Sequence, residues 1–70
     1  MKIEYDREAD ALYIILKKGK PHDNIDIEDG VTVDLDKKRH ILGIEILDAS
    51  RRFPTSEFSS VTIENLLPLR

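Results

Sequence analysis

Apolar and polar residues alternate through most of the first 47 positions, and a period of two predicts strands of an antiparallel sheet with one buried face. Residues 2–5 and 11–16 predict the first two strands, with Ile3, Tyr5, Leu12, Ile14 and Leu16 on one face. Pairing Asp6 with Ala11 around a four-residue loop (Arg7, Glu8, Ala9, Asp10) sets Tyr5 against Leu12 and Ile3 against Ile14. A slip of one residue would set apolar against polar, so the pattern selects this register.

Residues 17–24 contain Gly19 and Pro21 among polar side chains and predict an exposed connection. The third strand is expected over 25–27 and the fourth over 31–35. A three-residue loop (Glu28, Asp29, Gly30) sets Ile27 against Val31 and Ile25 against Val33, with Gly30 at the left-handed position of a type I turn with a G1 bulge. The next hairpin pairs Asp36 with Ile41 around 37–40 and matches Leu35 with Leu42, Val33 with Ile44 and Val31 with Ile46. Thr32, Asp34, Gly43 and Glu45 then occupy a solvated opposite face.

The alternation ends at Leu47. Asp48 followed by Ala49, Ser50, Arg51 and Arg52 predicts an N-capped helical turn that Pro54 ends. Residues 55–60 are polar around Phe58, and a Thr62-capped helical turn is expected before Pro68, with a short strand as the alternative. Phe53, Phe58, Ile63, Leu66 and Leu67 are the expected cover of the sheet. The expected fold is α+β: an antiparallel β-meander of about five strands over 1–47, with short C-terminal helical segments over 48–70 covering one face of a single domain.

At 70 residues a chain buries only about 60 % of its unfolded surface, so a monomer has little core. Without cysteine there is no disulfide or thiolate zinc site to compensate, which points to a partner subunit. The longest apolar run, 11–16, is too short to cross a bilayer, and the start MKIEYD lacks a secretory pattern, so a cytoplasmic location without a membrane partner is expected. The net charge of −3, with both signs interspersed along the chain, argues against nucleic acid and suits a small basic protein as partner, the alternative to a second copy of the chain.

Asp6, Glu8 and Asp10 crowd the first loop and could serve a hard cation in a metal-dependent hydrolase, but Asp at hairpin ends ordinarily holds the turn. Asp23, Asp26, Glu28 and Asp29 lack EF-hand spacing and predict a charged strand edge that resists aggregation. Neither His22 nor His40 has a nucleophile setting, and Ser50, Ser56, Ser59 and Ser60 suit caps and loops. A weak nucleic-acid site built from Lys37, Lys38, Arg39, Arg51 and Arg52 is the remaining alternative, against which stands the absence of interleaved aromatics. Gly43, alone inside a strand, implies a bulge or a close backbone approach. No catalytic, cofactor or metal residue is expected. Tyr13, Ile15, Leu47, Phe53, Phe58, Leu66 and Leu67 are the expected interface of a non-enzymatic protein-binding module.

The segments YDREADALYI and DGVTVDLDKKRHILGIEILDAS resemble a family of small prokaryotic proteins, domain of unknown function 2283, over about residues 1 to 52. The resemblance rests on Tyr5, Asp6, Asp10, Leu12 and Tyr13, on Asp29, Gly30, Val33 and Asp34, and on residues 43–47. Members often carry Gly where this chain has Arg39, which implies a left-handed backbone there. The family supplies no catalytic residues. It implies the smaller member of a pair with proteins of another family, domain of unknown function 4258, in the manner of an antitoxin with its toxin.

Overall fold

A computed structural model describes residues 1–58 and 60–64. Five strands, β1 (Lys2–Asp6), β2 (Ala11–Ile15), β3 (Asp23–Glu28), β4 (Val31–Leu35) and β5 (Ile41–Ile46), form one antiparallel sheet in the order β1-β2-β5-β4-β3. A helical turn, α1 (Ala49–Arg52), and a 3-10 turn, η1 (Thr55–Phe58), follow. Two local units, the β1–β2 hairpin and the β3–β4–β5 meander, thus join through one long-range ladder, β2 with β5. Strand composition explains the order. The central strand β5 carries the buried Leu42 and Gly43, whereas β3 carries Asp23, Asp26 and Glu28, is exposed along its length and lies at an edge. Its carboxylates deter a further strand from pairing there.

The first hairpin has the expected register, Asp6 with Ala11, Tyr5 with Leu12 and Ile3 with Ile14. Across the sheet, Ile3, Ile14, Ile44, Val33 and Ile25 stand in one transverse row; Tyr5, Leu12, Ile46, Val31 and Glu28 form the next. Glu4, Tyr13, Glu45, Thr32 and Asp26 form a mostly polar row on the other face.

Two predicted pairings are overturned. Glu28, not Ile27, pairs with Val31, so the turn holds only Asp29 and Gly30, and the irregularity moves into β3 between Asp26 and Glu28. Gly30 is left-handed as expected (φ 83°) while Asp29 is not, so the turn is neither type I′ nor type II′, both of which need a positive φ at the first central residue. Arg52 holds this shorter turn from outside, donating from Nη2 to the Asp29 carbonyl (2.6 Å), from Nη1 to the Glu28 carboxylate (3.3 Å) and from Nε to the Leu47 carbonyl (2.7 Å). Ile27, left out of the pairing, is 64 % exposed. In the next hairpin Leu35 pairs with Ile41 rather than Leu42, because a bulge interrupts the ladder after Asp34. Leu42 leaves the alternation and is buried against Gly19 of the β2–β3 connection, where a glycine Cβ would lie 2.6 Å from its Cδ2. The loop becomes residues 36–40. The Asp36 carboxylate accepts the Lys38 and His40 amides, and Arg39 takes the left-handed conformation (φ 67°) that the resemblance implies.

Among the described residues only Ala11, Leu35, Leu42 and Ala49 are buried apolar side chains. Two of the four are alanines, Ala11 at the start of β2 and Ala49 at the start of α1, and among the described residues no large side chain is fully buried.

Candidate functional site

The first loop and α1 meet at Asp10. Its backbone is left-handed (φ 51°), which directs both its carbonyl and its carboxylate at the start of α1. The carbonyl accepts the Ala49 amide (3.0 Å), Oδ1 accepts the Ser50 amide (3.0 Å) and the Tyr5 hydroxyl (2.6 Å), and Oδ2 accepts the Ser50 hydroxyl (2.7 Å). Asp48, the expected cap, is itself left-handed (φ 54°) and makes no side-chain cap bond. A carboxylate 40 residues away therefore does the work of the N-cap. Asp6 holds its own loop by accepting the Glu8 and Ala9 amides. These bonds occupy Asp6 and Asp10 with turn and cap chemistry; among the described residues no three metal-ligating side chains come together.

Three hydrogen-bonded carboxylates, Asp10, Asp36 and Asp23, titrate low. The Tyr5 and Ser50 hydroxyls hold Asp10 below the usual carboxylate range, the His40 amide does so for Asp36, and the Asn24 amide and then Arg39 for Asp23. Conversely, hydrogen bonding to Asp10 raises the Tyr5 phenol, and hydrogen bonding to Glu45 raises Tyr13. For the three carboxyls the folded chain binds fewer protons than the unfolded chain near pH 4, so their stabilisation is present above the unfolded value and disappears as pH falls through the folded values. Thermal melts are expected to give a flat Tm from pH 7 to about 5 and a steep fall below about 4. A Tm unchanged down to pH 2 would contradict this.

The C-terminal segment covers one corner of the apolar face. Phe58 packs on Tyr5 (ring centroids 5.0 Å apart) and Phe53 meets Phe58 edge to face (6.4 Å). Both were expected in the cover. Ile63 was too, yet it is 66 % exposed, and residues 61–64 have no regular structure. Leu66 and Leu67, with the rest of the expected terminal turn, lie outside the described residues. The transverse row beyond the corner stays open: Ile3 is 42 % and Ile25 39 % exposed, and Ile14, Ile44 and Val33 are only half-buried. Of the other expected interface residues, Tyr13 and Ile15 lie on the opposite face and Leu47 beside Gly30. The five basic residues of the alternative nucleic-acid site are divided. Lys37, Lys38 and Arg39 lie in the β4–β5 loop, whereas Arg51 and Arg52 lie in α1, at the other end of the strands. No described helix is long and apolar enough to cross a membrane.

The family described as Protein of unknown function (DUF2283) matches residues 2–50, a span that runs from β1 to the Ser50 that closes on Asp10. An uncharacterized protein of Methanocaldococcus jannaschii is 33 % identical over 67 residues, 96 % of this chain and 55 % of the relative. A Methanosarcina mazei protein named "Putative hypoxanthine phosphoribosyltransferase" is 40 % identical over 52 residues, 74 % of this chain and 42 % of the relative. The chain spans about half the length of these curated relatives. No solved structure matches.

Proposed function

We propose that this chain, which belongs to the DUF2283 family, is a non-enzymatic protein-binding module whose open apolar row takes a second copy of itself. The observation that carries this reading is the row Ile3, Ile14, Ile44, Val33 and Ile25, which crosses all five strands without one fully buried member. A single sheet with a partial cover is 19 Å thick, and its broad side measures 35 × 34 Å. That side can supply the roughly 800 Å² per partner that a specific complex uses. A row of one chemistry is complementary to itself across a twofold axis, whereas a pocket for a small ligand needs convergent polar groups, and the five side chains of this row are all aliphatic. The finer reading, an antitoxin-like subunit, would set the carboxylates Glu8, Asp29 and Asp48 near a basic partner protein.

Sedimentation velocity from a few to several hundred micromolar is expected to show a monomer–dimer equilibrium. The paired substitutions Ile3→Glu and Ile25→Glu are expected to weaken it about a hundredfold, since each buries an unpaired charge. Circular dichroism should show the sheet intact. A wild-type monomer throughout, or a double variant that dimerises unchanged, overturns the assignment.

A further inference from the structure

Charges interspersed along the sequence are segregated in space. In an antiparallel sheet every second connection returns to the same end, so the β2–β3 and β4–β5 loops lie together, beside the start of β1. That end carries all six lysines of the sequence: Lys2, Lys17, Lys18, Lys20, Lys37 and Lys38. Arg39, His22 and His40 lie there too, and Asp23 and Asp36 are the carboxylates of its loops and strand ends. The opposite end carries Asp6, Glu8, Asp10, Asp29 and Asp48 against three arginines.

Part of the basic end is neutralised. Lys2 pairs with Glu4 (2.7 Å), Lys17 with Asp36 (3.5 Å) and Arg39 with Asp23 (3.2 Å). Lys18, Lys20, Lys37 and Lys38 have no ion-pair partner among the described residues. Lys20, Lys37 and Lys38 line a shallow depression of about 460 Å³ together with Lys17, Asp36 and His40. Lys20 and Lys37 also share the adjoining one, about 330 Å³, with Pro21 and His22. Lysines of two loops therefore line one concave surface, and Lys18 lines the neighbouring depressions beside Ile15 and Lys17.

The net charge of −3 does not cancel this pole. A five-residue strand separates the two ends by about 17 Å, roughly two Debye lengths at physiological salt, so a ligand at one end scarcely senses the other. We infer that the lysine end, formed by the two loops 16–22 and 36–40, is a docking surface for the phosphodiester backbone of a nucleic-acid duplex. Lysine ammonium groups are point charges suited to phosphate oxygens, and among the described residues this end offers no Phe, Tyr or Trp ring on which an unpaired base could stack, only the smaller imidazoles of His22 and His40. Recognition is accordingly of the backbone and independent of sequence. The surface is separate from the apolar row, so the dimer and the duplex contact stand or fall independently.

Fluorescence anisotropy with a labelled DNA duplex of about 20 base pairs tests the inference on the full chain. Neutralising four phosphates predicts a slope of log K against log salt of about −3 to −4, a loss of about a hundredfold between 50 and 200 mM. Two duplexes of unrelated sequence should bind alike. The variant Lys18→Gln, Lys20→Gln, Lys37→Gln, Lys38→Gln is expected to lose at least tenfold in affinity at low salt with its Tm and dimerisation unchanged, whereas Arg7→Gln with Arg51→Gln, at the opposite end, should bind as before. Absence of binding at 25 mM salt, a slope shallower than −1, retention of affinity by the quadruple variant, or equal displacement by polyglutamate of matched charge overturns it.

Discussion

Replacing Asp10 by alanine is expected to lower the Tm by about 8–15 °C, the largest effect of any single polar substitution in this chain. The side chain accepts three bonds, from the Tyr5 hydroxyl and from both the amide and hydroxyl of Ser50, and the substitution removes all of them at once. It also places a Cβ-bearing residue without a local hydrogen-bonding side chain at φ 51°, a conformation that aspartate and asparagine tolerate better than alanine does. Asp10→Asn should recover about half the loss, because its amide oxygen can still accept at the helix start. Tyr5→Phe and Ser50→Ala should each cost less than Asp10→Ala, and the double variant should reveal coupling through the shared carboxylate. Thermal melts at pH 7 measure all five variants. Equal stability of Asp10→Ala and wild type would show that α1 docks without this carboxylate.

Gly43→Ala is the corresponding test of the sheet centre. An added Cβ would lie 2.8 Å from the carbonyl oxygen of Ile14, a backbone atom of the neighbouring strand β2. The contact is with main chain held in a ladder, so relief requires β2 and β5 to separate, and a cost of about 2 kcal/mol is expected, or about 10 °C in Tm. Gly19→Ala supplies the contrast. There the nearest atom is at 2.6 Å, closer still, but it is the end of the Leu42 side chain, which can rotate. The nominally worse clash should therefore be the milder substitution, and a reversed order in denaturation midpoints would refute the reasoning.

How much of this was legible beforehand depended on whether the cause was local. The first hairpin could be read because apolar positions on both strands fall into step in only one register, and Gly43 implied a bulge or a close approach, where the structure has a bulge beside it and a close approach to β2. The left-handed Gly30 was likewise foreseeable. Its turn length was not, because Arg52, 23 residues from Asp29, determines which carbonyl is held. Leu42 misled for a related reason: alternation placed it opposite Leu35, but the β2–β3 connection offers it a buried site that no pairing rule contains. The ordinary position for the cap of α1 is the adjacent Asp48, while the acting carboxylate comes from Asp10. For the candidate surfaces, the apolar face followed from the pattern, but the C-terminal segment was the expected cover for it, and Tyr13, Ile15 and Leu47, away from it, were among the expected interface residues. The lysine end did not follow from the pattern, since interspersion along the chain says nothing about which loops share an end until strand order is known.

The β2–β5 ladder, the only one among the described residues that joins strands distant in sequence, also sets the order in which the protein can be made. As the chain leaves a ribosome, the opening hairpin emerges some thirty residues before Ile44 arrives to lie beside Ile14. Throughout that interval β2, the strand destined for the interior, is a bare border facing solvent. Completion waits for the Ile41–Ile46 segment to slot in like a keystone, and for Ser50 to reach Asp10 immediately afterwards.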